Sequence, residues 1–171
     1  MRVSVIVGSV REGRFGVRVG DWVHKHLADA GVDTDLVDLA EFSFPHDADV
    51  TSFAARISGA DAVIVVTPEY NHSYPGPLKM AVDSLRDEWR AKPVAFVSYG
   101  GLSGGLRAVE ALRPVFAELH AVTIRETVSL HNPWADFPAE AATDALRRLT
   151  RQLLWWASAT HTALRRAPYP G

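Results

Sequence analysis

The run Ala62-Val-Ile-Val-Val66 leads directly into Thr67-Pro-Glu-Tyr-Asn-His-Ser-Tyr-Pro-Gly76, and a segment with apolar residues at helical spacing follows. An unbroken, mostly β-branched apolar run of strand length predicts a strand covered on both faces, as in parallel sheets. Ligands of open α/β sheets collect at the carboxyl ends of the strands, so the polar, aromatic loop after Val66 reads as a binding edge.

The pattern repeats on either side. Val3 to Val7 reads as a first strand, closed by Gly8-Ser9 and a loop through Gly13. A helix from about Phe15 to Ala30 follows, with Val19, Trp22, Val23, Leu27 and Ala30 on its apolar face and Gly31 as its stop. Asp33 to Leu39 suits a second strand near the sheet edge, Phe42-Ser-Phe-Pro45 begins a loop, and Thr51 to Ser58 is a short helical segment. Pro77 opens the next helix, with Leu78, Ala81, Val82 and Leu85 inward. Pro93 to Ser98 is the fourth strand. Tyr99 to Gly105 is a glycine-rich loop, and Leu106 to Leu119 is a helix with Val109, Leu112, Val115, Phe116 and Leu119 inward and a kink expected at Pro114. Val122 to Leu130 is the fifth strand. Ala139 to about Leu164 is a long amphipathic helix carrying Leu146, Leu149, Leu153, Leu154 and Trp156.

Strands that alternate with helices call for a parallel sheet covered on both faces. Five such units within residues 1–171 predict a single domain with the flavodoxin-like doubly wound sheet in order 2-1-3-4-5, whose switch point lies between strands one and three.

Composition excludes several functions. A net charge of -2 with mixed signs gives no basic field for nucleic acid, and the absence of cysteine removes disulfides, thiolate nucleophiles and cysteine-ligated metals. Redox chemistry would therefore have to come from a bound cofactor. The apolar runs fall short of the roughly 20 residues that span a bilayer, and the N-terminal stretch lacks a signal core, so a cytoplasmic protein is expected. His24 and His26 face different ways on a helix, which speaks against a metal site. Ser9 and Ser103 lack a nucleophile-elbow sequence, so hydrolysis has no support.

Three loops carry the chemistry. In Gly8-Ser-Val-Arg-Glu-Gly-Arg-Phe-Gly16, a helix start, a hydroxyl, Arg11 and Arg14 make an anion site suited to phosphate, although the sequence is neither the dinucleotide fingerprint nor a Walker loop. An ordinary surface turn is the plainer alternative. Pro68 to Pro75 sets polar groups beside aromatic faces, a mixture that fits a planar heteroaromatic ring. Taken singly, Tyr70 and Tyr74 read as packing residues and Asn71 as a turn former; their clustering after a buried strand points to binding. In Ser98 to Gly105, glycines either admit a ligand to the backbone or simply make turns.

Gly8-Ser9-x-Arg11, Pro68-Glu69-Tyr70-Asn71 with Pro75-Gly76-x-Leu78-Lys79, and Ser98-Tyr99-Gly100-Gly101 together resemble the NADPH-dependent FMN reductase family of flavodoxin-like quinone, azo-dye and chromate reductases. The resemblance spans roughly residues 1 to 130. It implies that Ser9, Arg11 and the first-loop amides hold the FMN phosphate, with Arg14, Phe15 and Gly16 beside them. It further implies that Pro68, Glu69, Tyr70 and Asn71 lie along the flavin ring and that Ser98, Tyr99, Gly100 and Gly101 close its pyrimidine side. The chain departs from the family where Arg14 and Gly16 replace a common Ser and Asn, and where Met80 replaces Asn.

The resemblance implies an oxidoreductase that moves hydride from NADPH or NADH through FMN to a small-molecule acceptor by ping-pong exchange, with no side chain acting as acid or base. Tyr70, His72, Tyr99 and Trp134 are expected at the mouth, with His72 and Trp134 touching substrate. A homodimer or homotetramer is expected, because Trp89, Trp155 and Trp156 offer aromatic surface and the helix after Gly76 is the family's pairing element. The alternatives are a flavodoxin-type electron carrier, disfavoured by the balanced charge and the loop arginines, and a flavin-binding fold recruited to a biosynthetic step.

Overall fold

A computed structural model describes residues 1–137 and 140–171. Strands β1 (Arg2–Val7), β2 (Asp33–Asp38), β3 (Ala62–Pro68), β4 (Pro93–Gly100) and β5 (Val122–His131) form one parallel sheet in the order β2-β1-β3-β4-β5. Every residue of β3 is buried, whereas β2, at an edge, is mostly half-exposed.

Alternation along the strands sorts the core into two layers. Val3, Val5, Ile64, Val66 and Val97 face α1 (Gly16–Asp29) and α5 (Glu140–Arg166), packing on Val19, Val23, Leu27, Leu149 and Leu153. Ile6, Val63, Val65 and Phe96 face the other way. They pack on Phe53 of α2 (Asp47–Ser58), Leu78 and Val82 of α3 (Gly76–Asp83), and Leu112 and Phe116 of α4 (Leu106–Glu118). Helices on both faces, in this strand order, make the flavodoxin-like doubly wound sheet.

The structure shifts several expectations. Helix α2 begins at Asp47 rather than Thr51, because Asp47 and Asp49 in its first turn complement the positive end of the helix dipole. Strand β4 continues through Tyr99, which pairs with Pro68 and Leu130, so Tyr99 and Gly100 are strand rather than loop. Ala30, expected on the inward face of α1, caps its end and is exposed. Helix α4 runs through the exposed Pro114. The expected start of the last helix, Ala139, lies outside the described residues.

Trp89 corrects a larger expectation. It offers no surface to a partner: its side chain is fully buried, Nε1 donates to the Val82 carbonyl at 3.0 Å, and its ring meets Phe116 edge-on at 5.2 Å. Trp155 is exposed and Trp156 half-buried. No helix among the described residues is long and apolar enough to cross a membrane, and none of their His, Asp and Glu side chains cluster in threes to hold a metal.

Candidate functional site

The loops after β1, β3, β4 and β5 meet at the carboxyl edge of the sheet. Between them lies a cleft of about 330 Å³, within the range of small-molecule sites.

The first loop runs from Gly8, whose N–H donates to Val66 O at 2.9 Å, into α1. Ser9 is fully buried, and its hydroxyl pairs with that of Tyr70 at 2.7 Å. The Arg11 guanidinium lies over the Tyr70 ring, 3.7 Å from its centroid. Arg14 forms an ion pair with Asp38 at the end of β2, and Asp38 also accepts the Ala40 N–H at 3.0 Å. The Arg14 Nε is buried without a hydrogen-bond partner among the described residues. Phe15 stands at the N-cap of α1 and offers no capping side chain, and no acidic residue stands in the first turn. The Gly16 N–H at that start faces the Tyr99 phenol. A buried donor left open beside a helix start fits an anion such as phosphate.

The second loop is a two-residue turn. Tyr70 N donates to Ser73 O at 2.8 Å and Ser73 N to Tyr70 O at 3.1 Å, with Asn71 and His72 at φ of 49° and 75°. Positive φ at both central positions is the type I′ requirement, and Asn and His accept it better than most non-glycine residues. Both side chains stand exposed at the tip and do not line the cleft wall.

Glu69 points to the third loop. Its carboxylate accepts the Ser103 hydroxyl, the Arg107 N–H at 3.3 Å and Arg107 Nη1 at 2.9 Å, so it ties the second loop to the start of α4. Burial pushes its pKa up, but these hydrogen bonds win and hold it below the ordinary carboxylate value. Behind this tie, Ser98 is buried and donates to Gly104 O at 2.8 Å. Gly105 adopts φ 86°, and a Cβ there would stand 2.7 Å from Ser98 Cβ and 2.9 Å from Tyr99 N. The glycine thus allows α4 to pack against β4, so the turn reading holds at Gly104 and Gly105, while Gly100 and Gly101 line the cleft.

Tyr99 is 3% exposed, and a Cβ on Gly16 would meet its phenolic oxygen at 2.6 Å. The phenol therefore fits under α1 because residue 16 is glycine. Burial pushes its pKa well above the ordinary value and keeps it neutral. Tyr99 thus forms a wall of the cleft rather than its mouth. Phe15 stands at the centre of an aromatic group, with Tyr99 at 5.9 Å, Trp134 at 5.3 Å and Phe137 at 5.4 Å between ring centroids. Trp134, 52% exposed, forms the outer wall.

The cleft thus brings together Ser9, Arg11, Arg14 and Phe15 from the first loop, Pro68, Glu69 and Tyr70 from the second, Tyr99, Gly100 and Gly101 from β4 and the turn after it, and Trp134. Gly16 and Ser98 lie behind it, and Asn71 and His72 outside. The sequence reading missed Glu12 on the wall, Asp38 as the partner of Arg14, and Ser103 and Arg107 as partners of Glu69. Asp38 had a signal, because the order 2-1-3 puts the end of strand two beside the first loop. The Glu69–Arg107 pair bridges 38 residues and left none.

A doubly wound sheet with a donor-rich first loop and an aromatic cleft at its switch point defines a flavodoxin-like nucleotide- or flavin-binding class. The family profile described as NADPH-dependent FMN reductase matches residues 1–135, and the chain belongs to that family of oxidoreductases. It is 33% identical over 120 residues to an NAD(P)H-dependent FMN reductase of Schizosaccharomyces pombe, a match covering 61% of this chain and 60% of that relative. It is 34% identical over 142 residues to a quinone reductase of Escherichia coli, covering 74% of each. Among solved structures, the flavoenzyme NAD(P)H:(acceptor) oxidoreductase FerB of Paracoccus denitrificans superposes with a TM-score of 0.75 over 94% of this chain and 97% of its own, at 22% identity, which speaks to the fold.

Proposed function

We propose that residues 1–171 form one FMN-binding domain that oxidises NADPH or NADH and passes the electrons to a small-molecule acceptor, a quinone, azo compound, metal oxyanion or free flavin, in ping-pong order. The observation that carries this reading is the grouping of the buried Ser9 hydroxyl, Arg11 and Arg14 on the lining of one cleft, next to the start of α1. These groups match a phosphate monoester in charge and donor count.

FMN, once bound, supplies hydride acceptance and release at its ring. The chain's own residues hold and shield. Ser9, Arg11, Arg14 and the first-turn amides take the phosphate. Pro68, Tyr70, Gly100 and Gly101 offer backbone along the cleft, and Glu69 fixes the two loops relative to each other. Phe15 and Tyr99 provide an apolar wall that keeps water away, and Trp134 forms the outer wall, which leaves one open side for a flat donor or acceptor. No acid or base is required of any side chain, since the cofactor carries the hydride chemistry.

One open side admits one partner at a time. Steady-state rates at varied NADPH and acceptor should give parallel double-reciprocal lines, with the acceptor competing against NADPH at high concentration. Intersecting lines with a detectable complex of both substrates would refute the shared site.

A further inference from the structure

We propose that Tyr70 is an internal competitor for the phosphate seat, which FMN must evict in order to bind and which therefore keeps FMN an exchangeable ligand. The inference deepens the FMN reading of the cleft and rests on it.

The two groups best placed to receive a phosphate are both engaged by Tyr70, while Ser9 also faces the Tyr99 phenol. Ser9 offers a fully buried hydroxyl, and the Tyr70 hydroxyl occupies it at 2.7 Å. Arg11 offers a guanidinium, and the Tyr70 ring covers its face at 3.7 Å. Arg14, on the same cleft lining, and the start of α1 remain beside them. The seat is thus half filled by the chain itself, with a neutral phenol in place of an anion.

An anion outcompetes the phenol there, because hydrogen bonds from a guanidinium or a hydroxyl to a phosphate oxygen are roughly twice as strong as a neutral hydroxyl pair. A flavin that lacks the phosphate has nothing to offer Ser9 or Arg11 and leaves Tyr70 in place. Tyr70 reaches the seat from the loop after β3. Its backbone is tied to Ser73 across a two-residue turn whose central residues are both non-glycine at positive φ, with both of those side chains in solvent.

The competition has a defined sign. Apparent affinity falls by the fraction of molecules in which the seat is open, so weakening the closed state tightens FMN. Tyr70→Phe removes the hydroxyl that holds Ser9 and keeps the ring. Losing one neutral hydrogen bond from the closed state should tighten FMN by about fivefold, while riboflavin, which does not need the seat, changes by less than about twofold.

Dissociation constants of FMN and riboflavin, measured by flavin fluorescence quenching on the wild-type protein and on Tyr70→Phe, decide the matter. Selective tightening of FMN supports the competitor. An unchanged FMN affinity overturns it, as does a weakened one, which would make Tyr70 a phosphate ligand. Equal changes for both flavins also overturn it, because they would make the phenol a ring contact. If the wild-type protein binds no FMN, the reading of the cleft fails and the competitor falls with it. If FMN binds and Tyr70→Phe has no effect, the competitor alone is refuted.

Discussion

Replacing Glu69 by Gln tests how the cleft is held together. The carboxylate accepts from the Ser103 hydroxyl, the Arg107 N–H and the Arg107 guanidinium, and its side chain is 11% exposed. Hydrogen bonds to a charged group contribute about 1.5–3 kcal/mol, and losing the charge while keeping the shape removes part of that. The Arg107 side chain is 39% exposed, so solvent screens the ion pair and places the loss at the lower end, about 1–2 kcal/mol. For a chain of this length that lowers Tm by about 3–6 °C at pH 7. The pH dependence has a fixed sign. A carboxyl held below its ordinary pKa in the folded state contributes stability above the unfolded pKa and loses it as pH falls through the folded value. Thermal unfolding followed by circular dichroism should therefore show a gap between wild type and Glu69→Gln at neutral pH that closes in acid below the usual carboxylate range. Equal melting at pH 7, or a gap that persists once the carboxyl is protonated, would refute the clamp.

Arg11→Ala should weaken FMN about tenfold or more while sparing riboflavin, because it removes a contact that the phosphate alone can use; equal loss for both ligands would sink the assignment. Arg14→Ala should also act on FMN selectively, since Arg14 lines the cleft with Ser9 and Arg11, and an unchanged FMN affinity would reduce Arg14 to a tether for Asp38. The protein is expected to sediment as a homodimer or homotetramer, with the exposed Met80 of α3 at a contact; a monomer across micromolar concentrations would contradict this.

The fold was legible because its signals are local and repeated. Each strand is a short apolar run, each helix carries an apolar face, and β3 announces its central place by having no polar residue before Thr67. Errors arose where tertiary context set the limits of an element. Strand β4 runs on through Tyr99 because both neighbouring strands pair with it there, and α2 starts early on its acidic first turn. The site was legible as three loops, and the strand order alone brings those loops to one edge. Which atoms meet was not legible. The sequence pattern puts Tyr70 along a ring, whereas in the fold its phenol turns to Ser9 and Arg11. Glu69 lines the cleft and is a clamp as well, a role the sequence hid because its partners lie in a distant segment. Trp89 looked like interface and is core, because aromatic content says nothing of which way a ring points.

The central claim is that this cleft binds FMN and turns it over with a nicotinamide donor. Its most direct test is an anaerobic half-reaction: the purified protein with FMN, mixed with NADPH or NADH in the absence of air, followed by a quinone. The account predicts that the flavin absorbance bleaches on adding the nicotinamide and returns on adding the quinone, both at rates set by the protein. Flavin that binds but stays oxidised with either nicotinamide would contradict it and leave a carrier or a non-redox flavin protein in its place.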